Sequence, residues 1–441
     1  MKLHLASLGC ARNLVDSETM LGHLIKKGWD ITQEPAEADA IIVNTCSFIS
    51  DAIDESIDTI LELAKFKKTG NCKKLLVAGC LPERFREKLA ESLPEVDFFL
   101  GTGAYDQVAH VLENPPSGCK QICLLPNPEK AAFPETDVPR IRTSDTIAYV
   151  KIAEGCSRHC TYCIIPRLRG EKYRSKPTED ILHEARLLVQ SGVKELTLVA
   201  QDTTDYGKDL FPPSSLAVLL TQLSEISNNI WIRFLYGHPE SMDENIIKTI
   251  AGHSNICSYF DIPIQHASNR ILKKMGRNYS IDDLRRLYHT IRTTVPDAAL
   301  RTTIITGFPG ETEKDFSILM DFIQEIRFDH LGVFTYSDSK DLPSHKLPLP
   351  VDWQTANQRQ DLLMNQQAVI SAANNQAHID KTYPVLIERR ESDTVFAGRT
   401  FFQAPEVDGI TFVSSRNLKL GDFVKTRIKN AFEYDLSGET V

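Results

Sequence analysis

The sequence predicts an α/β chain in three parts: an N-terminal doubly wound parallel sheet, a partial barrel of six strand-helix repeats, and a small five-stranded β-barrel. Three observations carry this. Apolar runs alternate with amphipathic helical stretches over residues 2–101, and the same alternation resumes over 146–337; this is the pattern of parallel sheets. The last sixty residues instead carry short strands separated by turns. A chain of 441 residues has room for two or three such domains. Their expected bounds are 1–113, a linker at 114–141, a core at 142–370 and a final barrel at 371–441.

Composition limits the function classes. A formal charge of −9 argues against broad, nonspecific nucleic-acid binding. No stretch approaches the length of a membrane span and the first residues lack an apolar leader, so a cytoplasmic protein is expected. Ten cysteines in that compartment point to metal or redox use rather than to disulfides.

In the first part, strands are expected at 2–8, 40–45, 74–78 and 98–100, with helices at 17–27, 51–68 and 82–92. Asp16 or Ser17 would cap the first helix, Gly28 would close it, and Pro82 suits an early helical position. This is a Rossmann-like arrangement, in which ligands bind beyond the carboxyl ends of the strands. Cys10, Cys46 and Cys80 each follow a strand, so neighbouring strands would gather three thiols at one place. Incidental buried cysteines are the competing reading.

Residues 114–145 are rich in proline and poor in periodic apolar positions, hence the linker. Cys72, Cys119, Cys123 and Cys257 stand apart and are expected to be free or buried thiols.

The core strands are expected at 147–153, 195–200, 230–236, 259–264, 300–306 and 330–336. The first runs into Gly155-Cys156-Ser157-Arg158-His159-Cys160-Thr161-Tyr162-Cys163, three thiols at C-x3-C-x2-C spacing. Structural zinc wants four ligands, and no fourth cysteine or histidine is spaced to complete such a set. A cubane iron-sulfur cluster has four irons, each held by one thiolate, so three thiolates leave one iron open to a substrate. Parallel barrels place their chemistry at the C-terminal strand ends, and those ends are polar here. They carry Gln201-Asp202-Thr203, Gly237-His238-Pro239, Gln265-His266, Gly307-Phe308-Pro309-Gly310-Glu311 and Ser337-Asp338. The two glycines, Gly307 and Gly310, permit close backbone approach to a ligand or simply make a tight turn with Glu311 opening a helix. Arg233, on the third strand, reads equally as a ligand contact or as half of a structural ion pair. A long polar helix at 354–378 is expected as a tether to the final barrel. That barrel has the shape of an OB-like oligonucleotide binder, but over 382–441 it holds eight Lys plus Arg against nine Asp plus Glu. An RNA-binding barrel usually carries more positive charge.

Cys156, Cys160 and Cys163, with aromatic Tyr162 before the third, resemble the signature of the radical S-adenosylmethionine (SAM) enzymes. In that superfamily the open iron chelates SAM, and one electron from the cluster cleaves it to a 5'-deoxyadenosyl radical. The resemblance implies SAM contacts at Tyr162, Gln201, Asp202, Gly307 and Gly310, with Arg233 as a further candidate. The three-part layout, with Gly9-Cys10-Ala11-Arg12-Asn13 and Asp16-Ser17-Glu18 near the start, is similar over nearly the whole chain to the methylthiotransferases, whose last domain is a TRAM barrel. This resemblance implies a second 4Fe-4S cluster on Cys10, Cys46 and Cys80, and SAM used both as methyl donor and as radical source.

Within that family, Cys163-Ile164-Ile165-Pro166-Arg167-Leu168-Arg169-Gly170, Pro263-Ile264-Gln265-His266-Ala267-Ser268 and Ala404-Pro405-Glu406-Val407-Asp408-Gly409 look like the RimO branch. That branch modifies an aspartate β-carbon of ribosomal protein S-twelve, and a reductant such as flavodoxin or ferredoxin is implied. The MiaB branch, which modifies an adenosine in tRNA, is the alternative. A nonenzymatic iron-sulfur carrier or sensor is a third reading, which leaves the ring of polar strand ends without a use.

Overall fold

The structure, a computed structural model, describes residues 1–114, 120–133 and 140–441. The described chain divides into two compact units. The first comprises Met1–Thr143, Lys151–His159 and Cys163–Lys176, and the second Ser144–Val150, Cys160–Tyr162 and Pro177–Val441.

The first unit is built on a six-stranded sheet of β1 (Lys2–Ser7), β2 (Asp30–Ile31), β3 (Ala40–Thr45), β4 (Lys74–Gly79), β5 (Phe98–Leu100) and β6 (Ile122–Leu124). The order is β2-β1-β3-β4-β5-β6 and every pairing is parallel. Successive side chains of a strand face opposite ways, so Ile42 and Leu76 enter one apolar core with Met20, Leu24 and Trp29. Ile41, Val43, Leu75 and Val77 enter a second core with Ile60 and Leu89. Both faces are covered, as a doubly wound sheet requires.

Three expectations need correction in this unit. The first helix is Ala11–Lys26, with Cys10 at its N-cap position. Asp16 and Ser17 are therefore interior and buried, not caps. The stretch expected as one helix over 82–92 breaks at Arg86, whose φ is +52°; its guanidinium donates to Glu83 at 2.7 Å and to the Leu125 carbonyl at 2.8 Å, and those bonds hold the break. Finally, the proline-rich segment expected as linker contributes β6, which pairs with β5 from Phe98–Ile122 to Leu100–Leu124. Cys119, Pro115, Pro116, Pro134 and Pro139 lie outside the described residues.

The chain then runs through β7 (Ile147–Lys151), β8 (Ala153–Glu154) and β9 (Arg174–Ser175), the last two pairing antiparallel within the first unit. In the second unit β7 joins β10 (Glu195–Val199) and β11 (Trp231–Phe234) in one sheet. A second sheet holds β12 (Tyr259–Asp261), β13 (Ala299–Thr306) and β14 (His330–Thr335). An isolated parallel bridge, Ile232 to Ile256, continues one sheet into the next. These six strands form the partial barrel.

The helix Trp353–Gln376 is no tether. Leu363 and Ile370 are buried, and its polar residues are spent on the core: Gln367 donates to the Phe328 carbonyl and Gln360 to that of Val333, both at 2.7 Å. A buried glutamine that satisfies a carbonyl leaves no apolar periodicity to read.

The C-terminal barrel closes as β15 (Thr382–Arg390), β16 (Val395–Arg399), β17 (Thr411–Ser414), β19 (Leu436–Thr440) and β18 (Phe423–Ala431). Residues 432–435 form the turn that leads into β19, with the Phe432 amide donating to the Asp435 carbonyl at 2.8 Å. The barrel packs against the N-terminal ends of the core strands. Arg399 pairs with Glu195 at 2.6 Å, the Tyr259 hydroxyl donates to Asp408 at 2.6 Å, and Trp231 meets Phe423 edge-on at 4.7 Å. The C-terminal strand ends, where a parallel barrel does its chemistry, lie on the other side of the core.

Candidate functional site

In the first unit Cys10, Cys46 and Cys80 follow β1, β3 and β4, three strands adjacent in the sheet. The loops that carry them are tied to one another. Asn13 donates through Nδ2 to the Leu8 carbonyl at 3.1 Å and to the Thr45 carbonyl at 2.8 Å. Thr45 Oγ1 donates to the Ala78 carbonyl at 2.7 Å, and Ser47 Oγ to the Cys80 carbonyl at 2.9 Å.

The thiols differ electrostatically. Burial would push Cys10 up, but the Arg12 guanidinium, with Arg169 beyond it, holds it at about 7. Burial pushes Cys80 up to about 12 despite Arg169, and it raises Cys46 as well. A set of thiolates assembled here would lie beside Arg12 and Arg169.

These residues fit an iron-sulfur cluster. The donors are three thiols on rigid strand ends, and Gly9, at a φ of +90°, keeps the approach open. A Cβ there would lie 2.8 Å from Cys46 Cβ and 3.3 Å from its Sγ. Among the described residues no three His, Cys, Asp or Glu side chains are close enough to hold a single metal ion. A cubane spreads its ligands over separate irons.

Beside these thiols lies a buried charged group that the sequence did not single out. Asp16 accepts from Arg169 at 2.8 Å and pairs with Lys151; Glu154 pairs with Lys151 and lies 3.3 Å from Arg169. Burial alone would raise the Glu154 carboxyl, but Lys151 and Arg169 hold it at about 2. Asn13, Asp16 and Arg169 all stand in stretches that resemble family motifs, yet nothing in their spacing, up to 156 residues apart, predicts that they meet.

Of the second cysteine set, Cys156 and Cys163 belong to the first unit and Cys160 to the second. In the second unit the backbone beside Cys160 is pinned. The Thr161 amide donates to the Met275 carbonyl at 3.0 Å, and the Ser344 amide donates to the Thr161 carbonyl at 2.9 Å. Arg277 donates to the Tyr162 hydroxyl at 2.5 and 3.1 Å, and Cys160 is among the groups that favour its cationic form. The Tyr162 ring meets Phe308 edge-on at 6.3 Å.

The other SAM candidates fall in two places. Gln201 and Asp202 follow β10, and Asp202 is buried, accepting from Thr204 Oγ1 at 2.8 Å and from Ser241 Oγ at 3.0 Å. It thereby ties the loop after β10 to the one after β11. Gly307 and Gly310, after β13, both have left-handed φ. The Gly307 amide donates to the buried Glu311 carboxylate, which also faces Arg359 at 3.4 Å and His266 at 3.5 Å. Glu311 precedes its helix, which is capped by Thr312 and starts at Glu313. Arg233 is elsewhere. It is fully buried, donates to Glu195 and to the Phe401 carbonyl at 2.7 Å each, and its contacts are those of a structural ion pair at the base of the core. Cys72 and Cys257 are buried free thiols and Cys123 is an exposed one.

Comparison with known proteins agrees along the chain. Residues 2–101 match the family model described as uncharacterized protein family UPF0004, 150–323 the radical SAM superfamily, and 379–441 the TRAM domain. The chain is 51% identical over 440 residues to "Ribosomal protein uS12 methylthiotransferase RimO" of Desulfosudis oleivorans, covering 100% of each chain. It is 50% identical over 443 residues to the protein of the same name in Clostridioides difficile, covering 100% of this chain and 99% of that one. Among solved structures it is similar to the radical SAM methyltransferase TsrM of Kitasatospora setae. The TM-score is 0.56 at 13% identity, over 76% of this chain and 74% of that one, a likeness of fold.

Proposed function

The chain belongs to the RimO family of radical SAM methylthiotransferases, and we propose that it transfers a methylthio group to the β-carbon of an aspartate in ribosomal protein uS12. On this reading Cys156, Cys160 and Cys163 hold one 4Fe-4S cluster and Cys10, Cys46 and Cys80 hold a second. When bound, the clusters and SAM supply a one-electron cleavage that yields a carbon radical, and a sulfur that can be methylated. The need for such chemistry follows from the substrate: an unactivated C–H bond offers no proton that a side-chain base could remove.

This chain's own residues bind and orient. Arg277 and the Met275 carbonyl hold Tyr162 and Thr161, while Asp202, Gly307 and Gly310 shape the strand-end loops that would receive SAM. The observation that carries the reading is the convergence of Cys10, Cys46 and Cys80 on adjacent strand ends in a chain that also carries the C-x3-C-x2-C loop. An electron carrier would not need both.

The test is anaerobic reconstitution with iron and sulfide, then incubation with SAM, dithionite and either small ribosomal subunits or tRNA. The expected outcome is 5'-deoxyadenosine together with a methylthio mass increment on a uS12 peptide. An increment confined to a tRNA nucleoside would move the protein to the tRNA-modifying branch, and absence of 5'-deoxyadenosine would remove the radical reading. The final barrel favours the protein substrate, since its slight net negative charge suits a basic partner better than RNA.

A further inference from the structure

We infer that Arg169 is a positioning residue for the Cys10, Cys46 and Cys80 centre: it donates an N–H to the Cys80 sulfur and so sets that centre's reduction potential. The inference rests on the reading that these three cysteines hold an iron-sulfur cluster.

The geometry is over-determined. Arg169 ends the short helix Ile165–Arg169, six positions after Cys163, and is 3% exposed. Nη1 donates to Asp16 at 2.8 Å and lies 3.3 Å from Glu154. Nη2 donates to Asn13 Oδ1 at 2.5 Å and reaches Cys80 Sγ at 3.8 Å, within range for a bond to sulfur. Asn13 cannot turn its amide round, because its Nδ2 is held by the Leu8 and Thr45 carbonyls; its oxygen must face the guanidinium. Asp16 is fixed in turn by Lys151. The planar fork of Arg169 is thus clamped on one edge by two carboxylates and on the other by an amide, which leaves its Nη2 edge directed at one sulfur.

Asp16 and Glu154 already balance Lys151 and Arg169. The guanidinium therefore acts on Cys80 mainly as a hydrogen-bond donor rather than as an uncompensated charge. A donor to a cluster thiolate draws electron density from the sulfur and favours the reduced, more negative state. Removing it lowers the potential. It also means that the segment leaving one cysteine loop ends on a sulfur of the other set.

The experiment isolates this centre in a full-length chain carrying Cys156→Ala, Cys160→Ala and Cys163→Ala, reconstituted anaerobically. Iron analysis comes first: a parent that binds no iron refutes the cluster reading itself. With iron bound, an EPR-monitored redox titration compares the parent with Arg169→Met and Arg169→Lys. The expected result for both is a reduction equilibrium at least tenfold less favourable, or 59 mV for a one-electron couple, with loss of an exchangeable-proton coupling in the ENDOR spectrum. Lysine keeps the buried charge, so the network still folds, but its ammonium lacks the fork that reaches Asp16 and Cys80 together. A Lys variant with the parent's potential and proton coupling overturns the inference, whether or not the Met variant folds.

Discussion

At Gly9 a single hydrogen separates a workable cysteine site from a blocked one. The residue sits at a φ of +90°, and a Cβ would meet the Cβ of Cys46 at 2.8 Å, an atom too close to the backbone to swing aside. Gly9→Ala therefore combines a left-handed backbone with a steric conflict, a cost of about 1–3 kcal/mol at sites of this kind. The damage falls where the loops of Cys10 and Cys46 approach each other. The apo chain should melt at a modestly lower temperature, while reconstituted iron per chain drops by about half because the Cys156, Cys160 and Cys163 set still loads. Iron content unchanged from the parent would mean that the loops part freely and that Gly9 has no role in holding the centre. The sequence shows Gly9 as a small residue on a strand-to-loop turn that leaves room beside the thiol; the crowding against Cys46 was not legible, because it comes from a chain segment more than thirty residues away.

Among elements, one of the contacts that dock the C-terminal barrel is a buried charge. Glu195, at the start of β10, receives Arg233 from β11 at 2.7 Å and Arg399 from β16 at 2.6 Å. Burial would raise its carboxyl, but the two guanidinium groups hold it at about 2. Glu195→Gln leaves both cations buried and short of a partner, and the expected loss of stability is about 3–5 kcal/mol, read by urea or thermal unfolding. The pH dependence involves this carboxylate and one histidine beside the barrel. A carboxylate held below its unfolded value of 4.5 contributes stability above that value and loses it as the pH falls toward about 2. His378, stacked on Phe402 at 4.3 Å, is held at about 4 by burial and by the nearby Lys381 and His330. Its contribution is complete above 6.5 and lost as the pH falls from there toward 4. The melting temperature should thus decline in two stages on acidification, and Glu195→Gln should flatten the second stage only. Strands of this interface were readable as apolar runs in the core and as short strands between turns in the barrel. The interface itself was not: Glu195 and Arg399 are 204 positions apart, and Arg233 on a core strand reads equally well as a ligand contact.

For the whole molecule, the order of parts was plain in the sequence because a proline-rich stretch interrupts the strand-helix alternation and short strands replace it at the end, and the cysteine positions were plain because strand ends in a parallel sheet have a known direction. What could not be read is how the chain distributes its cysteines. The stretch Cys163–Lys176 folds with the unit that holds Cys10, Cys46 and Cys80, whereas Cys160 and Tyr162 fold with the core. Long-range bonds decide this, such as Thr102 Oγ1 to the Leu168 carbonyl and the Thr161 amide to the Met275 carbonyl, and no local pattern announces them. If the two cysteine sets serve separate steps, they should be separable by substitution. Cys46→Ala, reconstituted with SAM and dithionite, should still release 5'-deoxyadenosine at a rate near the parent's, and yield no methylthio increment on a uS12 peptide. Cys160→Ala should lose both products. Quantifying the nucleoside by liquid chromatography and the peptide by mass spectrometry in the same reaction gives the ratio directly. A Cys46→Ala variant that forms methylthiolated peptide at the parent's rate would show that sulfur reaches the substrate without the first unit's cysteines, and the reason for their convergence on three adjacent strand ends would have to be sought in stability instead.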